Sequence, residues 1–220
     1  MPANAAWRCT ARLERALCRK GFHRIAGLDE AGRGCLFGPV FAAAVVLDPV
    51  KPIRGLRDSK QLDPEQRRGL AAAIREKALA WAVAKAEAAE IDRINIYQAS
   101  RLAMKRALEQ LAPPPDYLLV DALRVDSEVA QRALIHGDAL SVSIAAASIL
   151  AKVGRDACME EWDAVYPLFG LRRHKGYASP EHLRALAEHG PTGQHRFSYE
   201  PVRRAMPSDQ MMLFEEPALP

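Results

Sequence analysis

Leu28-Asp29-Glu30-Ala31-Gly32-Arg33-Gly34-Cys35-Leu36-Phe37 sets two adjacent carboxylates directly before a Gly-Arg-Gly turn. The chain is apolar on either side. Arg24 to Leu28 reads as a short strand, and Pro39 to Leu47, rich in Val and Ala, as a second. The charged turn therefore lies where two buried strands meet. Carboxylate oxygens suit hard divalent cations such as magnesium. Gly32 and Gly34 lack side chains, so the backbone can turn tightly and approach a ligand while Arg33 meets a phosphate. Successive strand side chains point to opposite faces. Asp29 and Glu30 are thus expected to share one metal cluster only if the strand ends or distorts there, and the glycines supply that break.

Two plainer readings compete. An Asp-Glu pair is common on solvated surfaces, and Gly-x-Gly is common in turns; the position between two apolar runs favours a site. Gly32, Gly34 and Gly38 also resemble a dinucleotide-binding loop, which needs a helix straight after it. Here Pro39-Val40-Phe41 continues to Val45-Val46-Leu47 as strand, and two carboxylates before the loop would repel a pyrophosphate.

With 220 residues, 49% of them hydrophobic, the chain can bury a sizeable core as one domain. The longest apolar stretches, Val40 to Leu47 and Ile144 to Ala151, fall short of the roughly 20 residues of a membrane span. Arg8, Arg12, Glu14 and Arg15 stand where a signal peptide would carry its apolar core, so a cytoplasmic protein without membrane attachment is expected. Cys9, Cys18, Cys35 and Cys158 show neither zinc nor disulfide spacing; Cys35 reads as a packing residue. A net charge of +4 favours a polyanionic partner only weakly. Arg172-Arg173-His174-Lys175 and His195-Arg196 are more pointed candidates for phosphate contacts.

Further spacing predicts a helix over Trp7 to Lys20 ending at Gly21, and a helix from an Asp63 N-cap through Pro64 to Lys77. A strand is expected over Leu79 to Ala88, a helix from Asn95 to Leu111, and a buried strand Tyr117 to Asp121. One long helix should run from Ser141 to about Tyr166, with shorter ones at Pro180 to His189 and Pro201 to Ala205. Strands first, then strands alternating with helices, indicate an α/β or mixed α+β sheet. Residues 1–206 are read as one domain and 207–220 as a disordered tail.

Four acids, Asp29, Glu30, Asp121 and Asp138, then stand at or just after strand ends. With Gly27 to Gly34, Gly38-Pro39-Val40, Asp58-Ser59-Lys60, Ile91-Asp92 with Asn95-Ile96, Ala146 to Lys152 with Arg155-Asp156, His174-Lys175-Gly176-Tyr177 and His195-Arg196, the chain resembles ribonuclease HII over residues 22–204. Ala122 departs from the family's usual Gly, His136 from a frequent Lys, and Cys35 and Phe37 from Pro and a small residue. The sister family, ribonuclease HIII, carries an extra N-terminal domain for which 28 residues before Asp29 leave no room.

The resemblance implies a ribonuclease H-like mixed sheet flanked by helices, with a C-terminal helical extension over about 166–206. It implies an endoribonuclease that cuts the RNA strand of RNA/DNA hybrids and incises 5′ to single ribonucleotides in duplex DNA, leaving 3′-hydroxyl and 5′-phosphate ends. Two-metal catalysis with Mg²⁺ or Mn²⁺ would use all four acids, with Asp29 bridging. Clustered carboxylates repel one another, so the metal-free site should be strained. The Gly32-Arg33-Gly34 backbone would sense the 2′-hydroxyl, and Tyr177 would stack on the following deoxyribose. Lys60, Lys152, Lys175 and Arg196 are candidate phosphate contacts. A monomer is expected. The rival readings are a catalytically silent nucleic-acid-binding module and another metal-dependent nuclease on the same fold. In the tail, Gln210, Leu213 and Phe214 match the Gln-x-x-Leu-Phe pattern of peptides that dock on the bacterial sliding clamp.

Overall fold

A computed structural model of the chain describes residues 9–206. In chain order it comprises α1 (Arg12–Cys18), β1 (Ile25–Ala31), β2 (Val40–Val46), α2 (Pro64–Lys77), β3 (Ala80–Ala86), α3 (Ala88–Glu109), β4 (Tyr117–Asp121), β5 (Gln131–Leu134), α4 (Val142–Val165), α5 (Leu171–His174), α6 (Pro180–His189) and α7 (Glu200–Arg204). The five strands form one sheet in the order β3-β2-β1-β4-β5. β2 pairs antiparallel with both β1 and β3, whereas β1–β4 and β4–β5 are parallel. β2 is buried along its whole length because helices cover both faces of the sheet, and this is why its sequence is an unbroken apolar run.

One face packs Leu28, Val40 and Ala44 against Ile91, Ala103 and Met104 of α3. The other packs Ala43 and Val45 against Ala146, Ile149 and Leu150 of α4, with Ile74 of α2 behind them. Each fully buried Ile or Leu here contributes about 1.5–3 kcal/mol. The small side chains of Ala145, Ala146 and Ala147 bring α4 unusually close to β1. A Cβ on Gly27 would lie 2.0 Å from the Ser143 backbone carbon, so only glycine fits at that crossing. Ser141 caps α4 by accepting from Ile144 N at 3.2 Å, and Asp63 caps α2 by accepting from Gln66 N at 2.8 Å. A third cluster joins Leu36 and Phe37 to Met159, Phe169, Leu171, Leu186 and Val202, fastening the C-terminal helices to the segment after the glycine turn.

Three local expectations change. β1 does not stop at Leu28: it runs through Asp29 and Glu30 to Ala31, paired with Ala43, Ala42 and Phe41 of β2. Only its parallel pairing with β4 ends there, at Leu28 opposite Val120. The helix after β3 starts before Asn95, because Glu87 and Glu90 form a reciprocal capping box. Asn95, at φ 65°, interrupts that helix and caps its second part by accepting from Gln98 N at 3.1 Å. The first helix is shorter than its spacing suggested, beginning at Arg12. Among the described residues no helix is long and apolar enough to cross a membrane.

Candidate active site

Asp29 lies on the strand position opposite Ala43, the face covered by α4, and is 5% exposed. Its Oδ1 accepts from the backbone N–H of Glu30 at 2.7 Å, and the Ser148 side chain of α4 also hydrogen-bonds its carboxylate. Burial, followed by the charges of Glu30 and Asp121, holds the Asp29 carboxyl well above the usual range. Glu30 is also raised, chiefly by burial and against the pull of Arg33, whose guanidinium is 3.3 Å away. Glu30 Oε2 is buried without a hydrogen-bond partner.

Asp121 ends β4, where Oδ1 accepts from Gly137 N at 2.6 Å. Burial raises its pKa. Asp138, in the 3-10 turn Gly137–Ala139, is 8% exposed and pushed up to about 6 by burial and then by Asp58 and Asp121. The four acids are therefore coupled through Asp121 without any break in β1. The end of the parallel β1–β4 pairing opens that corner of the sheet.

Two contributors were missed as side chains in their own right. Asp58 hydrogen-bonds Asp138 and also accepts from Lys60 N at 2.9 Å, which shapes the 3-10 turn Ser59–Gln61. Ser148 links Asp29 to Ser59, with the two hydroxyl oxygens 3.0 Å apart. The available signal for Ser148 was a hydroxyl inside an otherwise apolar helix run. Among the described residues no three His, Cys, Asp or Glu side chains are already gathered as a metal cage. The all-oxygen donor set and the orphaned Glu30 Oε2 nevertheless match a hard divalent cation, onto which the carboxylates would draw together.

The Gly32–Gly34 turn is locked from below. Gly32 has φ 96°, and a Cβ there would sit 1.9 Å from Arg155 Nε, so no side chain is accommodated. Gly34 faces open space. Isolated bridges pair Cys35 with Tyr177 and Phe37 with His195, bringing the His174–Tyr177 turn against the glycine turn. Tyr177 is 43% exposed beside this corner, with the Arg155 guanidinium 5.8 Å from its ring centre. Cys35 is buried, as a packing residue should be.

The basic candidates separate into three kinds. Lys60 is exposed, and its charge reaches Glu30, Asp121 and Asp138. Lys152 and Lys175 are held in ion pairs with Asp156 at 2.6 Å and Glu160 at 2.8 Å. Arg196 corrects the reading of His195-Arg196 as a phosphate contact: both residues are fully buried. Arg196 Nε donates to Gly38 O at 2.9 Å, and one terminal nitrogen donates to Arg33 O at 2.8 Å. It supports the glycine turn from inside. Gln210, Leu213 and Phe214 lie outside the described residues.

The family model described as Ribonuclease HII matches residues 26–202. A Ribonuclease HII from Solibacter usitatus is 59% identical over 203 residues, covering 92% of this chain and 89% of the relative. Among solved structures, ribonuclease H2 from Pyrococcus horikoshii is similar with a TM-score of 0.75 at 27% identity, over 86% of this chain and 99% of that one. The RNase HII in a PCNA:RNase HII complex from Archaeoglobus fulgidus is similar with a TM-score of 0.65 at 29% identity, over 76% and 88% of the two chains.

Proposed function

This chain belongs to the ribonuclease HII family and is a ribonuclease H endonuclease, and on that premise we propose that it incises 5′ to single ribonucleotides embedded in duplex DNA as well as cutting RNA/DNA hybrids, leaving 3′-hydroxyl and 5′-phosphate ends. The observation that carries this reading is the corner of Asp29, Glu30, Asp121 and Asp138. Asp121 ends β4, Asp138 follows β5, and Asp29 and Glu30 lie on β1 just past its parallel pairing with β4; all four have raised pKa values, beside a glycine turn that no side chain obstructs.

Two Mg²⁺ or Mn²⁺ ions held by these four carboxylates would supply an activated water and neutralise charge on the leaving oxygen. The chain itself does the rest. The backbone of Gly32-Arg33-Gly34 approaches the ribose closely enough to meet a 2′-hydroxyl, which only a ribonucleotide offers. Tyr177, on the facing turn, packs against the next sugar and favours an RNA-to-DNA junction. Lys60, Lys152 and Lys175 guide the backbone phosphates, and Arg196 keeps the glycine turn in shape from beneath. For the segment 207–220, the Gln210, Leu213 and Phe214 pattern and the PCNA complex of the Archaeoglobus relative support docking on the bacterial sliding clamp.

One assay tests the core of this reading: a labelled DNA duplex with a single ribonucleotide, incubated with Mg²⁺ beside all-DNA and continuous-hybrid controls. Cleavage on the 5′ side of the ribonucleotide is expected, with the all-DNA duplex intact. Tyr177→Ala should lose about tenfold more on the single-ribonucleotide substrate than on the hybrid, an effect near 1.4 kcal/mol. No cleavage of either ribose-containing substrate would overturn the activity. Equal loss on both would overturn the role of Tyr177.

A further inference from the structure

Beside the acidic corner, between the start of α2, the middle of α4 and α5, lies a cavity of about 350 Å³ whose walls carry Arg67, Arg68, Arg172, Arg173 and Lys175. Two carboxylates, Asp156 and Glu160, face these five cations. Asp156 is already engaged twice, by Arg67 at 3.3 Å and by Lys152 at 2.6 Å. Arg67 also donates to the carbonyls of Ser59 and Leu62, so it serves as a wall and not as a free donor. Arg172 and Arg173 lean outward on Asp163 at 3.6 Å and Glu181 at 3.0 Å, and Glu160 is the carboxylate left inside the pocket. Lys175 binds it at 2.8 Å, and Arg172 and Arg68 lie within electrostatic reach. Its side chain is 54% exposed, so the anion already in the pocket is loosely held at the mouth.

We propose that this pocket binds a backbone phosphate of the substrate duplex, outside the position that is cut. The inference rests on the substrate class assigned above and extends it to a second contact. Both walls of the pocket continue into the acidic corner. Arg67 holds the Ser59 carbonyl at 3.1 Å, and the Ser59 hydroxyl meets that of Ser148, which hydrogen-bonds Asp29. Lys175 stands two residues before Tyr177 in one tight turn, closed by Tyr177 N donating to His174 O at 3.0 Å, so the two lie within about 7 Å of each other along the chain. Phosphates of one strand advance about 3.4 Å along the duplex axis per nucleotide. A strand passing Tyr177 therefore reaches the pocket within a few nucleotides. Guanidinium groups present paired donors that match phosphate oxygens, and the rim carries exposed Arg68 together with Arg172 and Arg173, whose ion pairs with Asp163 and Glu181 leave their guanidiniums largely exposed. Glu160 marks the position of negative charge, and a phosphate would take over its partners.

The test is equilibrium binding of a fluorescein-labelled 18-base-pair DNA duplex with one central ribonucleotide. An Asp29→Asn background prevents the probe from being cut. Arg68→Ala with Arg172→Ala should weaken binding about five- to tenfold and lower the salt-dependence slope by about 1, the signature of one lost phosphate contact. Glu160→Gln, which removes only the competing charge, should tighten binding two- to threefold. Unchanged affinity and slope in both variants would overturn the pocket. So would a double variant with an intact fold whose loss of affinity is matched by no change in slope. Cleavage by the intact chain is scored separately, so failure of the pocket and failure of the ribonuclease assignment are distinguishable.

Discussion

Two groups of buried ionisable side chains sit on opposite sides of the glycine turn, and the sequence treats them in opposite ways. On the sheet side, Asp29, Glu30, Asp121 and Asp138 share one corner, with burial raising every pKa and the charge of Asp121 adding to it at the other three. On the C-terminal side, Arg155, Arg196, His182 and His195 are fully buried. There the arginines donate to backbone carbonyls and not to the acids. His182 and His195 are held neutral, at about 4 and about 3, chiefly by burial, with His174 adding to it at His182 and His182 adding to it at His195; the Nε2 atoms of His182 and His195 are 3.1 Å apart. Pairing the arginines with the acids would have quieted both groups. Keeping them apart leaves one corner hungry for positive charge and makes the other a rigid support. The difference separates groups retained for chemistry from groups retained for shape.

The sharpest way to break this contrast is Asp29→Asn. Cleavage should fall by at least about a thousandfold, the scale of losing a principal electrostatic contributor to the transition state. Stability in the absence of metal should hold or rise, because the substitution removes a buried charge that opposes folding. Urea unfolding beside the cleavage assay reads both. A clear loss of stability would mean that Asp29 is structural. The mirror experiment is Arg196→Met, which leaves the Arg33 and Gly38 carbonyls without their donor. It should destabilise the protein by about 3 kcal/mol. A neutral result would remove the support role.

Acid provides a third probe. The folded-state values of His182 and His195 lie below the ordinary 6.5, so the unfolded chain takes up protons first. Their contribution is present above about pH 6.5 and is lost as the pH falls toward 4. His182 accounts for on the order of 3 kcal/mol across that window. Unfolding midpoints at pH 7.5 and 5.0 should therefore fall further apart in the parent than in His182→Gln, and equal separations would contradict the assignment. The smallest effect concerns the acidic corner's own backbone. Ala122, directly after Asp121, has φ 51°, a left-handed conformation that an L side chain adopts at about 1–2 kcal/mol. Glycine's own loss of freedom offsets part of that. Ala122→Gly should then stabilise by no more than about 1 kcal/mol, measurable as a small rise in melting temperature. A decrease would show that the surrounding loop has adapted to alanine.

The residues of the acidic corner were legible because their determinants are local. An apolar run, a capping Asp or Ser and a strand-terminal carboxylate each declare themselves within a few positions, as β2, α2 and α4 do. The supporting side was illegible for the complementary reason. His195-Arg196 reads as a solvated basic pair until it is known that Arg196 reaches partners 158 and 163 residues away. Strand order was likewise hidden, since nothing local in β1 states that one neighbour runs antiparallel and the other parallel. The Asp58–Asp138 contact joins loops from different crossovers and leaves no periodic trace.

The hydrogen bond from Arg196 to the carbonyl of Arg33 also has a meaning in time. Chains emerge from synthesis at about 5–20 residues per second, so the two partners, 163 residues apart, appear roughly ten to thirty seconds from each other. Throughout that interval the nascent chain carries Asp29 and Glu30 without the arginine that shapes the turn beside them. The site is completed by nearly the last of the described residues to be made. A chain cut short after α4 could thus retain the sheet and all four acids and still lack the supported turn, a truncated product with the residues of a nuclease and not its grip on ribose.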